Sequence, residues 1–166
     1  VNNAQKEAAL MQSILTDIKY YHYRPLEIDD NFSGKLYNLF LDNLDNGRRW
    51  LTQNDLAQFE AFKAKLDDEA KAGTFEFLDL VISLQTASME KTQAWYREFL
   101  SQPFSFDTKE TIETDSDKKP FAKNDADLKE YWRKSIKWEA MTRLADKLEK
   151  KVKGEEGYKD KTQEAL

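Results

Sequence analysis

Two Ser-x-x-Lys spacings, Ser88–Lys91 and Ser116–Lys119, place a lysine amine one helical turn from a serine hydroxyl. That arrangement can activate the serine for acyl transfer. The first pair falls on a predicted helix, yet neither Ser-Asp-Asn nor Lys-Thr-Gly accompanies it. The second falls in a charged stretch, where no burial should be available to lower the lysine pKa. The single histidine, His22, stands among Tyr20, Tyr21 and Tyr23 at the end of the first predicted helix. No Gly-x-Ser-x-Gly elbow supplies it with a nucleophile. A helix C-terminus carries partial negative charge, which suits an imidazolium, so His22 reads as structural.

Metal chemistry is equally poorly served. There is no cysteine, and Lys19 stands where a Glu-x-x-His pair would need its glutamate. The run Asp42-Asn43-Leu44-Asp45-Asn46-Gly47 approaches a calcium loop. Leu44 sits where an oxygen ligand is required, and Gln53 replaces the bidentate glutamate. No Gly-x-x-x-x-Gly-Lys cradle for phosphate occurs. The expectation is no catalytic residue, no metal and no cofactor.

Charge argues against nucleic acid, since 31 acidic side chains exceed 26 basic ones for a net charge of -5. Lys147, Lys150, Lys151 and Lys153 interleave with Asp146, Glu149, Glu155 and Glu156, as on a solvated helix face. Tyr131, Trp132 and Trp138 fall at helical spacing and read as core. Arg48, Arg49 and Trp50 lie in a short connection, and an exposed arginine–tryptophan cluster has the composition of a protein-interaction hot spot.

The elements that would position these residues are helices. Ten Phe, seven Tyr and four Trp supply a core, and only five Gly and three Pro leave few tight reversals. Met11, Ile14, Leu15, Ile18 and Tyr21 mark a first helix over about 4–21, ended by Arg24-Pro25. Asp29 or Asp30 caps a second, with Phe32, Leu36, Leu39, Phe40 and Leu44 inward, closed by Asn46-Gly47. Thr52 and Asp55 form a capping box for a third, through Leu56, Phe59, Phe62 and Leu66 to Gly73. Thr74 caps a fourth, reaching Leu100 through Leu78, Val81, Ile82, Met89, Trp95 and Phe99. Asn124, with Asp127, opens a fifth along Leu128, Ile136, Ala140, Leu144, Leu148 and Val152, interrupted at Gly154 and Gly157. Residues 102–123 form a long connection. Phe104 and Phe121 should pin it, leaving Glu110 to Asp117 mobile. The reading is all-α: one helical domain over 1–166, an irregular bundle of about five helices, with 154–166 a frayed or truncated end. Both ends read as cuts in a longer polypeptide. No apolar run is long enough to span a membrane.

The stretch His22-Tyr23-Arg24-Pro25-Leu26, then Asp29 and Phe32, resembles the N-terminal helical region of bacterial tail-specific proteases, the carboxy-terminal processing peptidases. The likeness continues through Leu44-Asp45, Trp50-Leu51, Asp55 and Phe59, then Lys119-Pro120-Phe121 and Tyr131-Trp132 to Lys137-Trp138-Glu139. It covers about Ile18 to Leu144. The resemblance implies a segment without catalytic residues in a periplasmic or envelope serine protease. There it would act as a scaffold or dock a substrate or adaptor. A PDZ domain and a peptidase core with a Ser/Lys dyad would be its partners in the parent chain; an adaptor or an unfolded protein substrate would be others. On this reading His22, Tyr23, Asp29, Phe32, Leu44, Asp45, Leu51, Asp55 and Phe59 are structural. The alternative is a free-standing helical interaction module.

Overall fold

A computed structural model describes residues 3–24 and 26–153. Six α-helices follow in order: α1 (Asn3–Tyr20), α2 (Asp30–Leu44), α3 (Gln53–Phe59), α4 (Leu66–Ala72), α5 (Glu76–Leu100) and α6 (Asp125–Lys153). Among the described residues there is no strand, only an isolated parallel bridge between Thr52 and Ala122. The all-α expectation holds, with one helix more than expected. The expected stop at Pro25, the interruptions at Gly154 and Gly157, the 154–166 end and the Val152 side chain lie outside the described residues.

The helix starts follow from side chains that accept orphan amides. Asp29 accepts from the Phe32 amide at 2.9 Å. Thr52 and Asp55 close a reciprocal capping box, each side chain bonding the other's backbone N–H. Asn124 accepts from the Asp127 amide at 3.1 Å. Gly73 ends α4 in the left-handed region at φ 70°, and a Cβ there would stand 2.9 Å from that of Ala8. That close approach seats α1 on α4, where Gln12 also bonds the Lys71 carbonyl.

Three expectations need correction. The helix expected from Thr52 to Gly73 is two helices joined by a 3-10 turn, Glu60–Phe62, because Lys65 leaves helical geometry at φ -121°, ψ -2°. The bend brings Leu66 and Asp67 under α2, where Ser33 donates to Asp67 at 2.6 Å and accepts its amide at 2.8 Å. Thr74 does not cap α5. The Glu69 carboxylate instead accepts the Phe77 amide at about 3.1 Å. Third, the inner faces are rotated from those expected. Leu36, Leu39, Tyr21, Leu78, Ile82, Met89 and Leu148 are exposed, while Ser33, Tyr37, Phe77, Ser88 and Thr92 are buried. Ser33, Ser88 and Thr92 hold core positions because each hydroxyl finds a partner, as Thr92 does on the Ser88 carbonyl, whereas the buried Tyr37 hydroxyl has none.

The core gathers on Phe77. Its ring meets those of Phe40, Phe59, Phe62 and Tyr37 at 5.3–6.0 Å, with Leu51, Leu66 and Val81 filling the remainder. Burial, with Glu60 nearby, pushes the Tyr37 hydroxyl up to about 12. On the other side of the molecule α6 packs along α5, and the irregular 101–124 connection crosses between them.

Candidate functional site

The connection between α2 and α3 is organised by one carboxylate. Asp45, buried at the end of α2, accepts from the amides of Arg49, Trp50 and Leu51 at 2.9–3.0 Å. This closes a tight loop in which Arg48 adopts φ 48°. The constraint turns the Arg48 guanidinium toward the second connection, where it donates to the Lys119 carbonyl and lies 5.5 Å from the Phe121 ring. Gln53 extends the seam, its amide bonding the Ala122 carbonyl at 2.8 Å and its side chain that of Phe121 at 3.1 Å. Leu51 locks the loop from below, fully buried.

The same loop presents an aromatic face. Trp50 is half-buried and its ring stands 5.3 Å from that of Trp132, whose indole N–H donates to the Arg49 carbonyl at 2.9 Å. Ser88, buried on α5, donates to the Trp50 carbonyl. Beside these rings an open groove of about 380 Å³ is lined by Trp50, Trp132, Met89, Thr92, Gln93 and Tyr96, with Glu90 as its one acid. Met89 and Tyr96 are both half exposed at its rim. A groove of this kind can grip apolar side chains; it holds no acid–base pair. Of the expected cluster, then, Arg48 is engaged internally, Arg49 is exposed and Trp50 forms a groove wall.

Neither serine–lysine pair is assembled for catalysis. Ser88 is held by the Trp50 carbonyl, while Lys91 pairs with Asp125 at 2.8 Å. Lys119 contradicts the expectation of a solvated amine. It is 7% exposed, and its Nζ lies 3.5 Å from the Tyr131 ring centroid with no hydrogen-bond partner. Burial pushes its pKa below the ordinary lysine value. No hydrogen bond joins it to Ser116.

The remaining residues picked out by the sequence are dispersed. His22 is exposed beyond the end of α1, and its Nδ1 turns to the backbone of Arg24 rather than to the helix carbonyls. Tyr23 is 90% exposed. Asp29 and Asp55 cap helices, Phe32 and Leu44 are half-buried, and Phe59 is fully buried. Trp138, expected in the core, is 44% exposed. Among the described residues no group of three His, Asp or Glu side chains is placed to hold a metal, and no helix is long and apolar enough to cross a membrane.

A family model described as the tail-specific protease N-terminal domain matches residues 14–166. The chain belongs to that family. A relative, the tail-specific protease of Haemophilus influenzae (strain ATCC 51907 / DSM 11121 / KW20 / Rd), is 22% identical over 140 residues. The match covers 83% of this chain and 20% of the relative, so the chain spans about one fifth of that protein's length. In this tail-specific protease N-terminal domain, sequence reasoning singled out Asp45, Trp50 and Leu51, and separately Ser88, Lys119 and Trp132, but missed that the last three meet the Arg48–Trp50 loop. Those pairings span 38 to 83 positions of the chain, from Ser88–Trp50 through Lys119–Arg48 to Trp132–Arg49. Helical periodicity carries no signal for such pairings.

Proposed function

We propose that this domain is a scaffold and docking element, without catalytic residues, of a periplasmic or cell-envelope carboxy-terminal processing serine protease. Its partners are the PDZ and peptidase domains of the parent chain, an adaptor, or an unfolded protein substrate. The parent's chemistry would come from a Ser/Lys dyad outside these residues. The observation that carries the docking role is the groove beside Trp50 and Trp132. Aromatic and methionine side chains line it, and Arg49 stands exposed on the adjoining loop. Trp, Tyr and Arg dominate the energetics of protein interfaces because each buries a large area while keeping a polar contact. Methionine adapts to varied apolar partners.

The test separates docking from chemistry. The parent protease carrying Arg49→Glu and Tyr96→Glu is assayed on an unfolded protein with an apolar carboxyl terminus. Cleavage should fall several-fold while the melting temperature of the isolated variant domain stays near wild type. Unchanged cleavage would remove this groove from the docking role. The isolated wild-type chain should cleave nothing; turnover abolished by Ser88→Ala would overturn the scaffold reading altogether.

A further inference from the structure

The connection after α5 rests on α6 in an unusual way. The backbone of residues 102–114 makes no backbone hydrogen bond with any other described residue. Side chains hold the segment, and Phe106, Thr108, Glu110 and Ile112, at every second position, all meet α6, with Thr111 also at the edge of the Ile112 cleft. That is the period of an extended chain laying one face on a surface.

Each contact is chemically distinct. The Phe106 ring lies 5.8 Å from Lys137 Nζ. Lys137 donates to the Thr108 hydroxyl and to one Glu110 oxygen, both at 3.0 Å. Arg133 donates to the other Glu110 oxygen at 2.9 Å. Ile112 reaches a cleft of about 100 Å³ against Trp138 and Met141. The Lys137 side chain is well shielded at 12% exposed, while Glu110, an exposed residue overall, has a side chain 29% exposed. Glu110, the first residue of the acidic stretch expected to be mobile, is held by two cations.

We propose that this face of α6 is a recognition surface for an extended acidic polypeptide segment, and that residues 104–112 occupy it as a self-ligand. The code is an aromatic side chain, a carboxylate four positions later and an aliphatic side chain two beyond that. Charge supports the match: Glu110 meets Arg133 and Lys137, Arg133 being shared with Glu130 of α6, and the chain from 104 to 115 carries Asp107, Glu110, Glu113 and Asp115 against Lys109 alone. An occupant without backbone pairing can be exchanged without dismantling secondary structure. This inference is independent of the Trp50 groove and of the scaffold reading.

The test uses the whole chain and a fluorescein-labelled peptide copying residues 103–115. A tethered segment competes at an effective concentration in the millimolar range. The peptide should therefore bind the Phe106→Ala/Glu110→Gln chain about tenfold or more tighter than wild type. A peptide with glutamine in place of the glutamate copied from Glu110 should lose most of that affinity, as should binding in high salt. Equal affinity for both chains, or none for either, would overturn the proposal. A second readout avoids any folding defect of the variant: excess peptide should speed protease nicking of the wild-type chain within 103–114, and the glutamine peptide should not. Identical nicking with and without peptide would also overturn it.

Discussion

Two halves of this domain are held together by different physics. Around Phe77, α2, α3, α4 and α5 meet mainly through tilted and edge-to-face rings and aliphatic side chains. Around Asp45, α2, α5, α6 and the two connections meet through hydrogen bonds between loop backbone and side chains: Asp45 accepts loop amides, while Ser88 and Trp132 donate to loop carbonyls. Apolar packing is distributed, so a lost contact is partly compensated by its neighbours. A polar junction concentrates its energy in a few groups that must all be satisfied. The first region is suited to stability and the second to fixing one geometry, here the angle at which Trp50 meets Trp132.

The contrast is broken most directly at its apolar pole. Phe77→Ala should destabilise the chain by about 3–5 kcal/mol in denaturant unfolding, through lost transfer energy and a cavity facing four rings. A cost below about 1 kcal/mol would mean that the ring cluster is not the centre of the fold. Asp45→Ala should follow, at about 2–4 kcal/mol, because three loop amides lose their acceptor at once. Its signature differs: faster hydrogen exchange at Arg49, Trp50 and Leu51, with the amides around Phe77 still protected. Uniform loss of protection would show that the two regions unfold as one.

Asp67 sharpens the comparison, being a buried carboxylate inside the apolar half. Burial pushes its pKa up, but hydrogen bonds from Lys71 and Ser33 outweigh it and hold the carboxyl below its usual value. A depressed folded pKa gives stability that is present above the unfolded carboxylate pKa and is lost as pH falls through the folded value. Asp67→Asn should cost about 1–2 kcal/mol near neutrality. That difference from wild type should shrink on acidification below about pH 4, the unfolded carboxylate range. A cost independent of pH would assign the effect to packing.

How much was legible in the sequence follows the same division. Asp29, Thr52, Asp55, Gly73 and Asn124 act within a few residues of themselves, and their capping roles were readable. The all-α class and the long connection were readable from period and composition. Rotated faces were not. Ser33, Ser88 and Thr92 look solvent-facing until their partners Asp67 and the Trp50 and Ser88 carbonyls are in place. Of the candidate site, Trp50 was visible as an unusual residue in a connection. The groove was not, because Trp132 and Met89 come from helices whose placement depends on Asp45 and Ser88. Lys119 misled for the same reason: its neighbours in sequence are charged, but its neighbours in space are Tyr131 and the Arg48 loop.

The smallest expected effect is at Lys119, and it tests whether every buried polar group in the junction stabilises. The amine sits 3.5 Å from the centroid of the Tyr131 ring, a cation–π contact worth about 2 kcal/mol when desolvated. Against it stands the cost of burying a charge with no hydrogen-bond partner. These terms nearly cancel, so Lys119→Met, which keeps the length and apolar stem, should change stability by less than about 1 kcal/mol at pH 7. The pH dependence carries the sign. With the folded pKa held below the unfolded one, the unfolded chain binds the proton more tightly. Wild-type stability should therefore rise as pH climbs from the folded toward the unfolded value. Lys119→Met should abolish that rise, which urea unfolding at about pH 7 and about pH 9.5, both below the ordinary lysine pKa of about 10.4, would register. A loss of several kcal/mol at pH 7, with the rise retained, would show that the amine has a partner stronger than the Tyr131 ring. The junction would then be stabilised at Lys119 as it is at Asp45.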